Sequence, residues 1–192
     1  MFLENPAYNN EQFGWIEVIC GSMFSGKTEE LIRRIKRAKI ANQKIKVFKP
    51  SIDSRIKNFI ESHDESKLKC EEVKSSKEIL AKVDNCDVVA LDEAQFFDDQ
   101  IVSVCNKIAN SGVRVIIAGL DMDYLGNPFG PMPNLMAISE YVTKVHAVCK
   151  ESGNIANYSY RKNEKKDIVL IGEKGEYEPL SRSVFYRKIK NK

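Results

Sequence analysis

The residues best equipped for chemistry lie in two short runs. Gly21-Ser22-Met23-Phe24-Ser25-Gly26-Lys27-Thr28 has the form G-x-x-x-x-G-K-T, a loop whose backbone N–H groups turn inward around phosphate oxygens. Gly21 and Gly26 permit the turn, Lys27 reaches toward the β- and γ-phosphates, and the Thr28 hydroxyl is a ligand for Mg²⁺. A chance match in a chain of this length is on the order of one in a hundred. The second run is Val88-Val89-Ala90-Leu91 followed by Asp92-Glu93, an apolar strand that delivers a carboxylate to the Mg²⁺ of a bound nucleotide. Successive strand side chains point in opposite directions, so the two acids diverge. One can serve the metal while the other faces a nucleophile, where accepting a hydroxyl proton is worth ~10²–10⁴ in rate. Alone, an acidic pair at a strand end is more often a helix cap or a solvated loop. Beside a phosphate loop it reads as a centre for phosphoryl transfer.

Those runs must be positioned by a scaffold, and the hydrophobic pattern supplies one. Trp15 to Cys20 is a buried-strand candidate, and Leu31, Ile32, Ile35 and Ala38 recur at helical spacing between Glu29 and Ala41. Lys44 to Phe48 alternates with Ile45 and Val47 inward, and Pro50 closes that strand. Residues 51–74 are polar and weakly periodic, a long loop or mobile segment. Ser75-Ser76-Lys77-Glu78 reads as a capping box opening a short helix through Val83. Ile101, Val102, Cys105, Ile108 and Ala109 make another amphipathic helix stopped by Gly112, before a strand over Val113–Ala118. Residues 119–134 hold three Gly and three Pro and are too broken for a regular element. A short helix over Leu135–Tyr141 and a strand over Val142–Val148 complete the pattern. Strands alternating with helices define an α/β protein with a mostly parallel sheet covered on both faces. Beyond Lys150 the chain is locally basic, and strands over Ile155–Arg161 and Asp167–Gly172 flank a polar turn at 162–166, a hairpin signature.

Composition narrows the function classes. The chain has 192 residues, 43% hydrophobic and 30% charged, with 30 Lys+Arg against 27 Asp+Glu for a net charge of +3. That length accommodates one domain plus an appendage. A net charge this small does not argue for a nucleic-acid partner, and no run approaches the ~18 apolar residues of a membrane helix. The N-terminus carries an acid and no long apolar run, so it does not read as a secretory signal. Cys20, Cys70, Cys86, Cys105 and Cys149 are odd in number and never paired as C-x-x-C, which suits the reducing cytoplasm.

Four segments in order carry a specific likeness. They are the phosphate loop, Asp92-Glu93-Ala94-Gln95-Phe96-Phe97, the run from Gly119 to Gly130, and Ile171-Gly172 with Tyr177. Together they resemble the thymidine kinase family of the cytosolic, oligomeric type, in register from about Ile16 to Tyr186. The resemblance implies a P-loop, RecA-like core over residues 15–149, preceded by a flexible leader at 1–14. A small β-rich lasso domain at 150–192 would cover the nucleoside. It implies transfer of the ATP γ-phosphate to the 5′-hydroxyl of thymidine, with deoxyuridine also possible, in nucleotide salvage. Catalysis would fall to Glu93 as general base and to Lys27. Gly21, Ser22, Met23, Phe24, Ser25, Gly26, Lys27 and Thr28, with Asp92 and Gln95, would contact ATP, and Thr28 and Asp92 would hold Mg²⁺. Met23, Phe96, Leu120, Tyr124 and Phe129 match positions lining the base pocket, and Ser159, Ile168, Leu170 and Tyr177 match the lasso. Asp53 and Arg55 match a charged stretch before the family's mobile segment. Phe97 reads as core packing, and Arg161 has no assigned role. The family also implies a homotetramer in the cytoplasm and feedback by dTTP, with no nucleic-acid or membrane partner.

One departure from the family stands out. Members carry a structural zinc in the small domain, held by two C-x-x-C-like pairs. Here the first pair keeps Cys149 with Ser152 as its partner, and the second falls at Ser181 and Val184. His146 is near, but one thiol and one imidazole do not close a tetrahedral site. No zinc is expected, with packing by Ile155, Tyr158, Tyr160, Val184, Phe185 and Tyr186 in its place. Two other readings of the chain stay open at this point: a RecA-type ATPase stimulated by nucleic acid, and a nucleotide-sensing module without catalysis.

Overall fold

The computed structural model describes residues 13–53, 57–61, 67–162 and 175–190. Its first half runs β1 (Ile16–Cys20), α1 (Lys27–Ile40), β2 (Ile45–Pro50), β3 (Phe59–Glu61), β4 (Lys67–Lys69), β5 (Glu71–Val73), α2 (Ser76–Leu80) and β6 (Val88–Leu91). The second half runs α3 (Ile101–Asn110), β7 (Arg114–Gly119), α4 (Met132–Ile138), β8 (Tyr141–Lys144), β9 (Ala147–Val148), β10 (Ile155–Ala156), β11 (Tyr158–Arg161), β12 (Tyr177–Leu180) and α5 (Arg182–Lys190). Six strands form one sheet in the order β5-β2-β6-β7-β1-β8, and every neighbouring pair is parallel. Parallel sheets need both faces covered, and alternation along the strands provides this. Val18, Leu91, Val115 and Ile117 face one way, onto α2, α3 and α4. Ile19, Ala90, Ile116 and Ala118 face the other, onto Leu31, Ile32 and Ile35 of α1. The α/β architecture read from the sequence holds.

Several boundaries differ for physical reasons. Residues 51–74, expected to lack regular structure, contain the antiparallel β3–β4 pair and the edge strand β5. Three-residue strands are too short to display a period, and Ile60, Leu68 and Cys70 seat them on the α1 side of the sheet. The capping box does not form at Ser75. The start of α2 is held instead by Asp98, whose carboxylate accepts the Ser76 N–H at 2.9 Å and contacts the Ser76 hydroxyl. α4 starts three residues earlier than expected, because Pro is tolerated in a first helical turn. The strand expected over 142–148 is broken into β8 and β9. The partner of β11 is β12, with Arg161 opposite Tyr177, while the strand expected over Asp167–Gly172 lies outside the described residues. So do residues 1–12 of the expected leader. α5 was not read from the sequence at all; Val184 and Phe185 bury its inner face.

Candidate active site

β1 and β6 carry the two chemical runs, and β7 lies between them. The loop after β1 turns sharply: Gly21 sits at φ 147° and a Cβ there would lie 2.1 Å from the Val145 carbonyl oxygen. Gly26 caps α1 in the left-handed conformation, φ 84°. Inside the loop the Ser22 carbonyl accepts from both Lys27 Nζ and Ser25 Oγ, each at 2.7 Å. Thr28 lies in the first turn of α1 and brings Oγ1 to 3.5 Å from Asp92 Oδ2. A hydroxyl beside a carboxylate is a hard-oxygen donor set of the kind Mg²⁺ takes alongside substrate phosphates. Among the described residues no group of three or more His, Cys, Asp or Glu could hold a metal.

Asp92 and Glu93 diverge, but by a turn rather than by strand alternation. β6 ends at Leu91, and Glu93 adopts φ 52° and ψ 41°, a left-handed conformation that costs a non-glycine residue about 1–3 kcal/mol. Surrounding bonds hold it there. The Glu93 N–H donates to Asp92 Oδ1 at 2.9 Å, and Gln95 Nε2 donates to Glu93 Oε2 at 2.5 Å. Gln95 Oε1 in turn accepts the Leu120 N–H at 2.8 Å. Buried Gln95 therefore ties the end of β6 to the end of β7, and the tight fit leaves Gly130, at φ 49°, no room for a Cβ against the Gln95 carbonyl.

One cavity gathers most of the expected site. Met23, Phe24, Ser25, Gly26, Lys27 and Thr28 form one side; Asp92, Glu93, Phe96, Leu120, Tyr124, Phe129, Ser159 and Tyr177 face them, among other lining residues. Phe96 and Phe129 meet edge to face with centroids 5.6 Å apart. Gly21, Ser22 and Gln95 are not on that wall; Gln95 lies behind it, bonded to Glu93 and to the Leu120 N–H. Phe97 is buried in the apolar core, as its packing role requires. Ile168, Leu170 and Arg55 lie outside the described residues. Two bonds join the phosphate loop to the C-terminal strands: Ser22 Oγ donates to the Ala156 carbonyl at 3.1 Å, and the Met23 N–H donates to Ser159 Oγ at 2.9 Å.

The wall also includes residues the sequence reading passed over. Lys49 is 1% exposed, donates to the Asp53 carbonyl at 3.0 Å, and lies 3.6 Å from carboxylate oxygens of both Asp53 and Glu72. Its signal was available: Lys49 continues the inward alternation of Ile45 and Val47. Phe59, Ile60 and Glu61 of β3 line the cavity too. Cys20 and Cys70 lie under the site as inert thiols, each pushed up to about 11 chiefly by burial.

At the positions matching the family's zinc ligands, Ser152 Oγ donates to Ser181 Oγ at 3.0 Å, Ser181 and Ser183 hydroxyls lie 3.4 Å apart, and Val184 is buried in an apolar cluster. His146 is engaged with Asn157 Oδ1 at 2.6 Å.

A phosphate loop on a parallel sheet, an acid pair one strand removed and a shared aromatic cavity define a P-loop nucleotide-binding protein built for group transfer. The family model for thymidine kinase matches residues 14–185. The thymidine kinase of Bacteroides thetaiotaomicron is 54% identical over 190 residues, covering 97% of this chain and 94% of that protein. That of Rhodothermus sp. is 54% identical over 173 residues, covering 90% and 81%. That of Porphyromonas gingivalis is 52% identical over 187 residues, covering 97% and 91%. The chain belongs to the thymidine kinase family.

Proposed function

We propose that this chain phosphorylates thymidine, moving the γ-phosphoryl group of ATP to the 5′-hydroxyl and yielding dTMP for nucleotide salvage. The observation that carries this reading is the placement of the Glu93 carboxylate, held by Gln95, on the same cavity wall as Lys27 and Thr28. Backbone N–H groups of the loop and Lys27 cradle the phosphates and spread the charge that develops on the transferring group. Thr28 and Asp92 would hold Mg²⁺, which when bound neutralises phosphate charge. Glu93 orients the 5′-hydroxyl and accepts its proton. Phe96, Leu120, Tyr124, Phe129 and Tyr177 enclose the base and exclude water, which suppresses transfer of the phosphoryl group to solvent.

The same reading takes residues 15–149 as the nucleotide-binding core and 150–192 as the cover over the nucleoside. Supporting it, Ala156, Tyr158, Leu180, Val184 and Phe185 of the second part gather with Ala147 and Cys149 at the end of the first in an apolar cluster separate from the two that flank the sheet. No zinc is assigned, since the donor set holds a single thiol. Deoxyuridine as a second acceptor, inhibition by dTTP, a homotetramer and a cytoplasmic location belong to the same reading; the five cysteines are free and buried, and no described helix is long and apolar enough to cross a membrane. The test is formation of dTMP from ATP and thymidine with Mg²⁺, after exhaustive chelation of zinc. Product is expected. ATP binding without product, or ATP hydrolysis driven by nucleic acid and indifferent to thymidine, would overturn it.

A further inference from the structure

We propose that Arg161 is a positioning residue for the nucleoside, its buried guanidinium fixing the rings of Tyr124 and Tyr177 as walls of the cavity. The inference rests on the thymidine-phosphorylating reading of the site. Arg161 ends β11, is 2% exposed, and pairs across the ladder with Tyr177 at the start of β12. Its Nε and Nη2 both donate to the Tyr177 hydroxyl, at 3.0 and 2.7 Å. Its guanidinium carbon lies 3.8 Å from the centre of the Tyr124 ring and 5.3 Å from that of Tyr177. Tyr124 comes from the segment after β7 and Tyr177 from the far side of β11, so one planar cation joins two stretches of chain that share the cavity wall.

The chemistry calls for arginine in particular. A guanidinium stacks on an aromatic face and donates through a rigid fork, whereas an ammonium is a compact point charge that does neither. Strand alternation sharpens the role. Ser159 and Arg161 share one face of β11, and Ser159 accepts the N–H of Met23 in the phosphate loop. On the other face, Tyr158 stacks on Phe185 at 4.3 Å and Tyr160 meets the same ring edge-on at 6.4 Å. One strand thus braces the phosphate loop through Ser159 and the aromatic walls through Arg161, while its opposite face anchors it. Loss of the guanidinium loosens the nucleoside's enclosure and leaves the Ser159 contact to the ATP side in place.

Steady-state kinetics on the full chain, with thymidine and ATP varied separately, test this. Arg161→Lys should raise KM for thymidine about tenfold or more while KM for ATP stays within about twofold, a split that general destabilisation would not produce. Tyr177→Phe keeps the ring and removes the acceptor, so KM for thymidine should rise in the same direction by less. The double variant should fall short of the product of the two single effects, because both remove the same bonds. An unchanged thymidine KM in Arg161→Lys overturns the inference, as do parallel rises for both substrates or fully multiplicative effects. If Arg161→Lys unfolds at the assay temperature, Tyr177→Phe decides alone: an unchanged thymidine KM overturns the role. Absence of dTMP with the unmodified chain would defeat the functional reading and this inference together, whereas normal activity with unaltered variants defeats the inference only.

Discussion

At the scale of single residues, the site turns on how a carboxylate is held. Glu93 occupies a left-handed turn and takes a 2.5 Å hydrogen bond from Gln95, so its direction is set before substrate arrives. Replacing it with Gln preserves shape and removes the proton acceptor. Glu93→Gln should lower kcat by ~10² or more while ATP affinity, measured by calorimetry, stays within about twofold; near-normal turnover would remove Glu93 from the chemistry. Gln95→Glu places a second carboxylate against the first, and like charges so close cannot both ionise. The acidic limb of the kcat/KM profile should then move up by about one pH unit or more; a profile superimposable on that of the unmodified chain would show that Gln95 does not govern Glu93. The sequence made Lys27, Thr28, Asp92 and Glu93 legible because motif spacing encodes their shared end of the sheet. It did not reveal Gln95 as a brace, since that role depends on Leu120 arriving from β7, a contact between residues far apart in the chain. Lys49 was legible in principle, as a lysine that continues the apolar face of Ile45 and Val47, and its partners Asp53 and Glu72 only in three dimensions.

At the scale of elements, α1 must hold a fixed angle to the sheet, because Thr28 is in its first turn. Its apolar stripe of Leu31, Ile32, Ile35 and Ala38 buries one face, and an ionic cluster adds direction. Glu17 on β1 accepts from Arg34 of α1 at 2.7 Å, from Arg114 of β7 at 2.7 and 3.0 Å, and from the Trp15 indole at 2.6 Å. Burial pushes the Glu17 carboxyl up, but the hydrogen bonds from Arg114 and Trp15 and the charges of Arg114 and Arg34 outweigh it and hold the group below its ordinary value. A carboxylate depressed in the folded state contributes stability that is full above the unfolded value of about 4.3 and is lost as pH falls through the folded value. Removing one member of such a cluster leaves buried charge unpaired, at a cost of about 3–5 kcal/mol. Glu17→Gln should therefore lower the thermal midpoint at pH 7 by several degrees, by the usual ~2–4 °C per kcal/mol for a chain of this size. The gap to the unmodified chain should narrow as pH drops below about 4, and a gap independent of pH would assign the loss to packing. None of this cluster is legible in the sequence, because its charges come from two strands and a helix. The long elements were legible: α1 and α3 by their 3.6-residue period and the buried strands by their apolar runs. The short strands β3 to β5 and the helix α5 were not, since three residues show no period and four of the nine α5 residues are Arg or Lys, which leaves a thin apolar stripe.

At the scale of the whole molecule, the proposed zinc-free state raises the question of what holds the C-terminal strands in place. Structural zinc can supply about 10 kcal/mol or more to a small fold, so a chain that does without it needs an offset. Packing is one source: Phe185 is fully buried, stacks on Tyr158 at 4.3 Å and meets Tyr186 edge-on at 5.4 Å, and Val184 occupies a position that matches a zinc ligand. Hydrogen bonding is the other. Burial pushes the Cys149 thiol up, but hydroxyl and backbone donors of Ser152 and Ser181 more than reverse this and bring it down to about 6. If this offset is sufficient, exhaustive chelation should leave the thermal midpoint and thymidine turnover unchanged, and metal analysis of protein purified without a His-tag should find well under one zinc per chain. Phe185→Ala, by contrast, opens a cavity at the centre of the cluster and should cost about 3–5 kcal/mol. Because β11, the strand that Phe185 anchors, brings Ser159 to the cavity wall and Arg161 against the wall residues Tyr124 and Tyr177, that loss should reach the site as a higher thymidine KM at temperatures where the core is still folded. One zinc per chain, with a midpoint that falls on chelation and returns with the metal, would mean that a metal and not this aromatic cluster holds the C-terminal strands in place.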